Sequence, residues 1–305
     1  MFILMNSAYI EAWEKYSDIA KRTKDNYRSV YKKLDNYLCH CNYTGDLNFD
    51  RFFHIKEDDS WEPIDKNFID DFLDHLAAEG ATKATMSHSI SALTHLFNFL
   101  RNMKMINKNP ITYYSNPYSN NIILDRALSP DEVDRLLRTS LKIDQFLRKS
   151  YLLILLLVNT GLRNQELREL TIAQIDFERK LIYVDRGQKT SKNTVHLTNH
   201  LIDELKRYMQ HPFNEKRFRE SNTHLFVRKN GQKLKKAEHV NDWLNEIAIA
   251  SEVRHITAHC LRHTMAQSLQ AAGVDLRYIQ LQLRHKSIET TVRYLGTFNM
   301  ASLID

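Results

Sequence analysis

The sequence predicts a mainly α protein with a small antiparallel sheet, arranged as a helical first domain and a mixed α/β second domain. Three observations carry this expectation. The 305 residues include only 7 Gly and 5 Pro, too few turn-formers for a chain built of many short strands. Apolar residues recur at helical spacing over most of the chain, and candidate strands are confined to short runs between residues 181 and 227. A stretch rich in Asn, Ser and Pro, residues 111–126, interrupts the periodicity and has no pattern of its own. Two domains of ordinary size suit this length. The expected division is 1–112 for the first domain, 113–126 for a linker and 127–305 for the second domain.

From Tyr9 to Leu38, Ile10, Trp13, Tyr16, Ile19, Tyr27, Val30, Tyr31, Leu34 and Leu38 follow helical spacing. Asp65 or Asn67 can open a helix carrying Phe68, Ile69, Phe72, Leu73 and Leu76, with Gly80 ending it. Another runs from about Lys83 to Met103 before Asn109-Pro110 stops helical structure. Ser129-Pro130-Asp131-Glu132 is a strong helix start, with Ser129 as cap and Pro130 in the first turn. The apolar run Tyr151 to Val158 is too short to span a bilayer and reads as a buried helix. Leu181 to Asp185, Thr194 to Leu197 and His224 to Val227 read as three strands, the last followed by the turn Asn230-Gly231.

The net charge of +6 is unevenly spread. Residues 1–118 hold 14 Lys and Arg against 16 Asp and Glu, whereas residues 119–305 hold 29 against 21. The basic second part points to a polyanionic partner. The first part also carries a basic stretch, Lys21, Arg22, Lys24, Arg28, Lys32 and Lys33. Cys39, Cys41 and Cys260 are odd in number and form no disulfide framework, which suits a reducing cytoplasm. Cys39-His40-Cys41 has no second cluster at metal-site spacing and reads as structural. The opening MFILM is too short for a signal-peptide core.

Four clusters in the second part carry chemistry. Thr160-Gly161-Leu162-Arg163, followed by Glu166, ends the apolar helix and puts Arg163 at the start of another. Gly187 to Lys192 supplies Lys189 and Lys192 in the expected hairpin turn. His259 and Arg262, three apart, share a helix face, with His263 beside them. His285 stands nine residues before Tyr294. Singly, each has an ordinary reading as a helix-start, solvated or core residue. Together they suit a phosphodiester. Arginine grips nonbridging oxygens in a fork, histidine can donate to the developing phosphorane charge, tyrosine can attack, and lysine can protonate the leaving oxygen.

TGLRNQEL, the turn lysine, HCLRHT and LRHKSIETTVRY resemble the signature of the tyrosine recombinases, the phage-integrase-type site-specific recombinases. IDKNFIDDFLDHL, ATKATMSHSISALTHLFNFL and NKNPI resemble, less specifically, that family's helical core-binding (SAM-like) domain, and RALSPDEVDRLL resembles the start of its catalytic domain. The resemblance thus covers nearly the whole chain. It implies a helical core-binding domain plus a mixed α/β tyrosine-recombinase catalytic domain, closing as a C-shaped clamp on duplex DNA. It assigns Arg163 and Arg262 as the catalytic arginines, Lys189 as the hairpin lysine, His259 and His285 as the histidines and Tyr294 as the nucleophile. It further implies a 3′-phosphotyrosyl intermediate, a Holliday junction and a homotetramer on synapsed double-stranded DNA. Integration, excision and resolution are all open as outcomes. No metal, nucleotide or other cofactor is expected, because the phosphotyrosyl bond conserves the energy of the broken phosphodiester. Neither a membrane nor a small-molecule substrate is implied, and the two-domain form is similar to Xer-type and transposon-encoded recombinases.

The chain departs from the pattern in places. Arg284 stands where many members have Gly, which makes the site more basic. His196 replaces a common Pro at a strand position where it should matter little. Lys192 rivals Lys189. His263 is expected to pack in the core or bond another helix, and Glu166 to orient a catalytic neighbour. Only eleven residues follow Tyr294, so docking of Met300, Leu303 and Ile304 on a neighbouring protomer is open. Two other functions compete: type IB topoisomerase-like relaxation, which shares this chemistry, and a DNA-binding regulator without catalysis. The second should have lost some of the six residues, and all six are present.

Overall fold

In the computed structural model, which describes residues 3–118, 126–184, 193–219, 223–228 and 230–296, the apolar repeat from Tyr9 to Leu38 forms two helices rather than one. They are α1 (Ala8–Tyr16) and α2 (Lys21–His40). Lys24 Nζ donates to the Glu14 carbonyl at 2.9 Å, and the Arg28 guanidinium pairs with the Glu14 carboxylate. In one continuous helix residues ten apart would lie about 15 Å apart along the axis, so these bonds require a turn at Ser17–Ala20. Periodicity alone does not reveal such a break, because both halves bury the same kind of face.

A hairpin follows, β1 (Phe53–Ile55) against β2 (Ser60–Glu62), with Phe53 opposite Glu62. The sequence reading did not anticipate it. Asp59 takes a positive φ of 54° in the turn, and the Asp58 carboxylate accepts the Ser60 N–H at 3.1 Å. Asp65, not Asn67, caps α3 (Lys66–Ala78) by accepting the Phe68 N–H at 3.0 Å. Thr82 caps α4 (Lys83–Asn102) in the same manner. Trp13, Tyr31, Leu34, Phe72, Leu93 and Phe97 lie in one buried cluster, and Tyr31 donates to the Ala92 carbonyl at 3.0 Å.

By its contacts the chain divides into two units, residues 1–121 and 122–305. Within the expected linker, Tyr114 and Tyr118 pack against the core of the first unit, and Tyr114 donates to Asp70 and Asn116 to Ser87. Cys39 and Cys41 are exposed thiols. Among the described residues, no group of three or more His, Cys, Asp and Glu side chains is arranged to hold a metal ion.

The second unit is built around one apolar helix. Ser129 and Glu132 form a reciprocal capping box at the start of α5 (Pro130–Ile143). Next, α6 (Lys149–Thr160) buries every residue from Ser150 to Leu157, as a helix apolar on all sides must. Gly161 closes it in the left-handed region, φ +57°, packed against the Met265 side chain. The chain turns there into α7 (Asn164–Glu169).

The sheet is antiparallel in the order β3 (Ile175–Asp176), β4 (Leu181–Val184), β5 (Asn193–His196). Its third strand is therefore Ile175–Asp176 and not His224 to Val227. That segment makes only isolated bridges, His224 with Thr171 and Val227 with Lys233. Leu225 and Phe226 are adjacent and both buried, unlike the alternating pattern of a half-buried strand, and the Leu225 N–H donates to the Leu170 carbonyl rather than to the sheet. After β5 come α8 (Asn199–Gln210), the short α9 (Pro212–Glu215), α10 (Glu238–Ala250), α11 (Ala258–Ala271), α12 (Leu276–Leu283) and α13 (Ile288–Leu295). Met265, Ala266, Ile279, Leu283 and Leu295 form a small core where α11, α12 and α13 meet.

Candidate active site

Four chain segments converge where α6 ends. Arg163 is the residue before α7, and its backbone N–H and Nη1 both bind the Glu166 carboxylate, at 2.7 and 2.8 Å. This closes the helix start as a capping box does and leaves the rest of the guanidinium accessible, its side chain 46% exposed.

Arg262 lies opposite, on α11. It is buried and donates to the carbonyls of Gly161 and Leu283, with Nη2 3.3 Å from His285 Nε2. Burial, then the charges of Arg163 and Arg284, pull its pKa down to about 9, so the guanidinium stays charged at neutral pH. Its two carbonyl bonds tie the α6 and α12 ends together across α11, and both ends carry site residues.

His285 follows α12. Arginine has no acceptor, so His285 Nε2 accepts from Arg262. The ring proton then sits on Nδ1, which donates to Thr291 Oγ1 at 3.0 Å. Burial, followed by Arg262, Arg163 and Arg284, lowers the His285 pKa to about 4. Between about pH 4 and about 6.5 the unfolded chain therefore binds a proton here that the folded chain does not. His285 stabilises the fold fully above that window and loses this contribution as pH falls through it. The melting temperature of the DNA-free protein is expected to rise with pH across the window, and His285→Gln to lose part of that rise. Superimposable profiles for the two proteins would contradict this assignment.

Tyr294, on α13, is surrounded by imidazoles. Its ring stacks on His263 with centroids 3.7 Å apart and planes 8° from parallel. His259 and His285 meet it edge-on at 5.6 and 5.2 Å. The hydroxyl is buried without a hydrogen-bond partner among the described residues. Burial pushes the phenol up to about 12, against the opposing charges of Arg262 and Arg163. His259 Nε2 lies 3.1 Å from His263 Nε2, so one ring donates to the other. Burial and then the charges of Arg126, Arg262 and Arg163 lower the His259 pKa.

Of the six residues singled out in the sequence, Arg163, His259, Arg262, His285 and Tyr294 come together here. Lys189 and its rival Lys192 lie outside the described residues, as do Met300, Leu303 and Ile304. His263 is buried, as expected, bonds His259 on its own helix and stacks on Tyr294. Arg284 adds positive charge that Arg262 and His285 feel, and it is buried and ion-paired with Glu166 at 2.5 Å. One expectation needs correction. His196 does more than occupy a strand: its N–H donates to the Gln282 side chain at 3.3 Å, and its ring stacks on Tyr278. A proline there has no N–H to give. Sequence reasoning missed Thr291, although it stands three residues before Tyr294 on the same helix, within reach of the same face.

Comparison with known proteins gives a consistent result. The pattern of the phage integrase family matches residues 126–299, and that of the phage integrase N-terminal SAM-like domain matches residues 40–104. Tyrosine recombinase XerD of Oceanobacillus iheyensis is 31% identical over 93% of this chain and 92% of its own length. Tyrosine recombinase XerC of Syntrophus aciditrophicus is 26% identical over 88% of this chain and 90% of its own. The Tn1549 transposon integrase, solved in complex with transposon right end DNA, shares the fold with a TM-score of 0.77 at 17% identity, covering 99% of this chain and 97% of that one.

Proposed function

This chain belongs to the phage integrase family, and on that premise we propose how it cuts and rejoins DNA. It is a site-specific recombinase. Tyr294 Oη attacks the scissile phosphorus, the bond to the 5′-oxygen breaks, and the enzyme becomes linked to the 3′-phosphate. The phenol proton passes to solvent as the new bond forms, and the Lys189 ammonium gives a proton to the departing oxygen. Attack by the 5′-hydroxyl of a partner strand reverses the step and releases tyrosine. Arg163 and Arg262 hold the nonbridging oxygens and stabilise the charge of the phosphorane. His259 and His285 hydrogen-bond the same oxygens. For His285 this requires Arg262 to turn to the phosphate and Nε2 to take a proton, which the phosphate charge favours.

The observation that carries this reading is the convergence of Arg163, His259, Arg262, His285 and Tyr294 from separate segments onto one site. The names of the similar XerC and XerD proteins, and the transposon end DNA bound by the Tn1549 integrase, support recombination over simple relaxation. We take exchange to proceed through a Holliday junction in a homotetramer on synapsed duplex DNA, in the cytoplasm. Among the described residues no helix is long and apolar enough to cross a membrane.

A nicked suicide substrate tests the proposal. The protein should be trapped on DNA in a denaturing gel, in the presence of excess chelator, with the linkage mapped to Tyr294 by peptide mass spectrometry. A paired assay should show exchange between two sites. Relaxation of a supercoiled plasmid without exchange would favour the topoisomerase reading instead.

Binding should also depend steeply on salt. Each neutralised phosphate contributes a slope of roughly −0.9 to the log–log plot, so 6–10 contacts lose about 10³- to 10⁵-fold between 50 and 200 mM salt. A flat plot is incompatible with a duplex held through its backbone.

A further inference from the structure

Arg284 is a residue that local structure disfavours. It stops α12 in the left-handed region, φ +56°, which glycine adopts without cost and an L-residue with a side chain does not. The side chain is also 1% exposed, in a protein that places most of its arginines in solvent. Strain and burial of a charge persist only where the surroundings compensate them. The compensation here is Glu166. Arg284 Nη2 lies 2.5 Å from Glu166 Oε2, Nη1 donates to the Gln282 carbonyl at 2.7 Å, and Nη2 also reaches the Gly161 carbonyl at 3.4 Å.

Strain alone is not the signal. Arg148 takes φ 50° and pairs with the buried Glu204 at 3.1 Å, yet its side chain is 39% exposed, and Glu204's other cation is the half-buried Arg207. Glu166 differs because its remaining partners are both on Arg163: the backbone N–H and Nη1. The carboxylate thus fixes the orientation of a guanidinium that has to meet a phosphate. Its own negative charge opposes that meeting. With Arg163 as its sole cation, Glu166 would compete with the phosphate for the same guanidinium. Arg284 supplies a second cation from the buried side, and its carbonyl also accepts from Arg163 Nη2 at 3.5 Å. The field of Arg284 together with Arg163 holds Glu166 ionised against its burial.

We propose that Arg284 is a positioning residue, the buried counter-ion that lets Glu166 orient Arg163 without repelling the scissile phosphate. This rests on the recombinase reading given above.

The test compares cleavage rate constants at saturating DNA for the wild type, Arg284→Gly and Arg284→Gln. Glycine suits the backbone; glutamine keeps a donor and removes the charge. The substrates are a nicked duplex with an ordinary scissile phosphate and the two diastereomers in which one nonbridging oxygen is replaced by methyl. On the ordinary phosphate both variants should be slower by on the order of 10- to 100-fold, the cost of a misplaced reacting group, with unchanged DNA affinity. On one diastereomer, where the oxygen facing Arg163 is gone and the phosphonate is neutral, they should approach the wild-type rate. Equal losses on all three substrates would mean general disruption and overturn the proposal. So would a wild-type rate on the ordinary phosphate. If Arg284→Gly melts well below the wild type, Arg284→Gln carries the same comparison. A wild type that forms no covalent adduct would sink the recombinase reading itself. A cleaving wild type with an unaffected Arg284→Gly would sink only this inference.

Discussion

Tyr294→Phe is expected to bind DNA with wild-type affinity and to form no covalent adduct. The structure says why so complete a loss can come without a folding defect. The Tyr294 ring, not its hydroxyl, makes the packing contacts: it stacks on His263 at 3.7 Å and meets His259 and His285 edge-on. Phenylalanine keeps all three. The hydroxyl is buried without a partner among the described residues, and an unsatisfied buried group of this kind costs roughly 1–3 kcal/mol. Removing it should leave the melting temperature unchanged or raise it. Any loss of cleavage is then loss of the nucleophile. An adduct that persists in this variant on the suicide substrate would assign the covalent bond to another residue.

Lys189→Ala is expected to slow cleavage by on the order of 10²- to 10⁴-fold, the usual contribution of a positioned general acid. An alkoxide is a poor leaving group until it is protonated. Sulfur in place of the bridging 5′-oxygen leaves as a thiolate, whose conjugate acid has a pKa of about 8.5 by analogy with cysteine. That group barely needs a donor, so Lys189→Ala should cut the sulfur substrate at close to the wild-type rate. Lys192, one residue before β5, should show a modest defect on both substrates when changed to alanine, as expected for a phosphate contact. Rescue confined to Lys192→Ala would transfer the acid role to Lys192.

The features the sequence determined by itself are those set by neighbours along the chain. Ser129 and Glu132 stand three apart and close their capping box within one turn. Gly161 ends α6 because its φ of +57° lies in the left-handed region, which glycine takes without the strain of a side chain. His259 and Arg262 share a face because three residues is nearly one helical turn. The family motif adds His285 and Tyr294, and α13 starts between them at Ile288, capped by the Ser287 side chain.

What only the tertiary structure decided are pairings between residues far apart in the chain. Glu166 meets Arg284, and Arg262 reaches back to Gly161, across more than a hundred residues. No local periodicity encodes such a contact, and it reverses what local rules say of Arg284, which by backbone preference should be glycine. The same limit hid the third strand: Leu225 and Phe226 have the composition of a strand, but the Leu225 N–H pairs with Leu170, and the ladder beside β4 is formed by Ile175–Asp176. His263 illustrates it most simply. Its sequence neighbours set the bond to His259 one turn away, but only the packing of α13 on α11 puts the Tyr294 ring against it, because that contact exists only once both helices bury their apolar faces in the shared core around Met265 and Leu295.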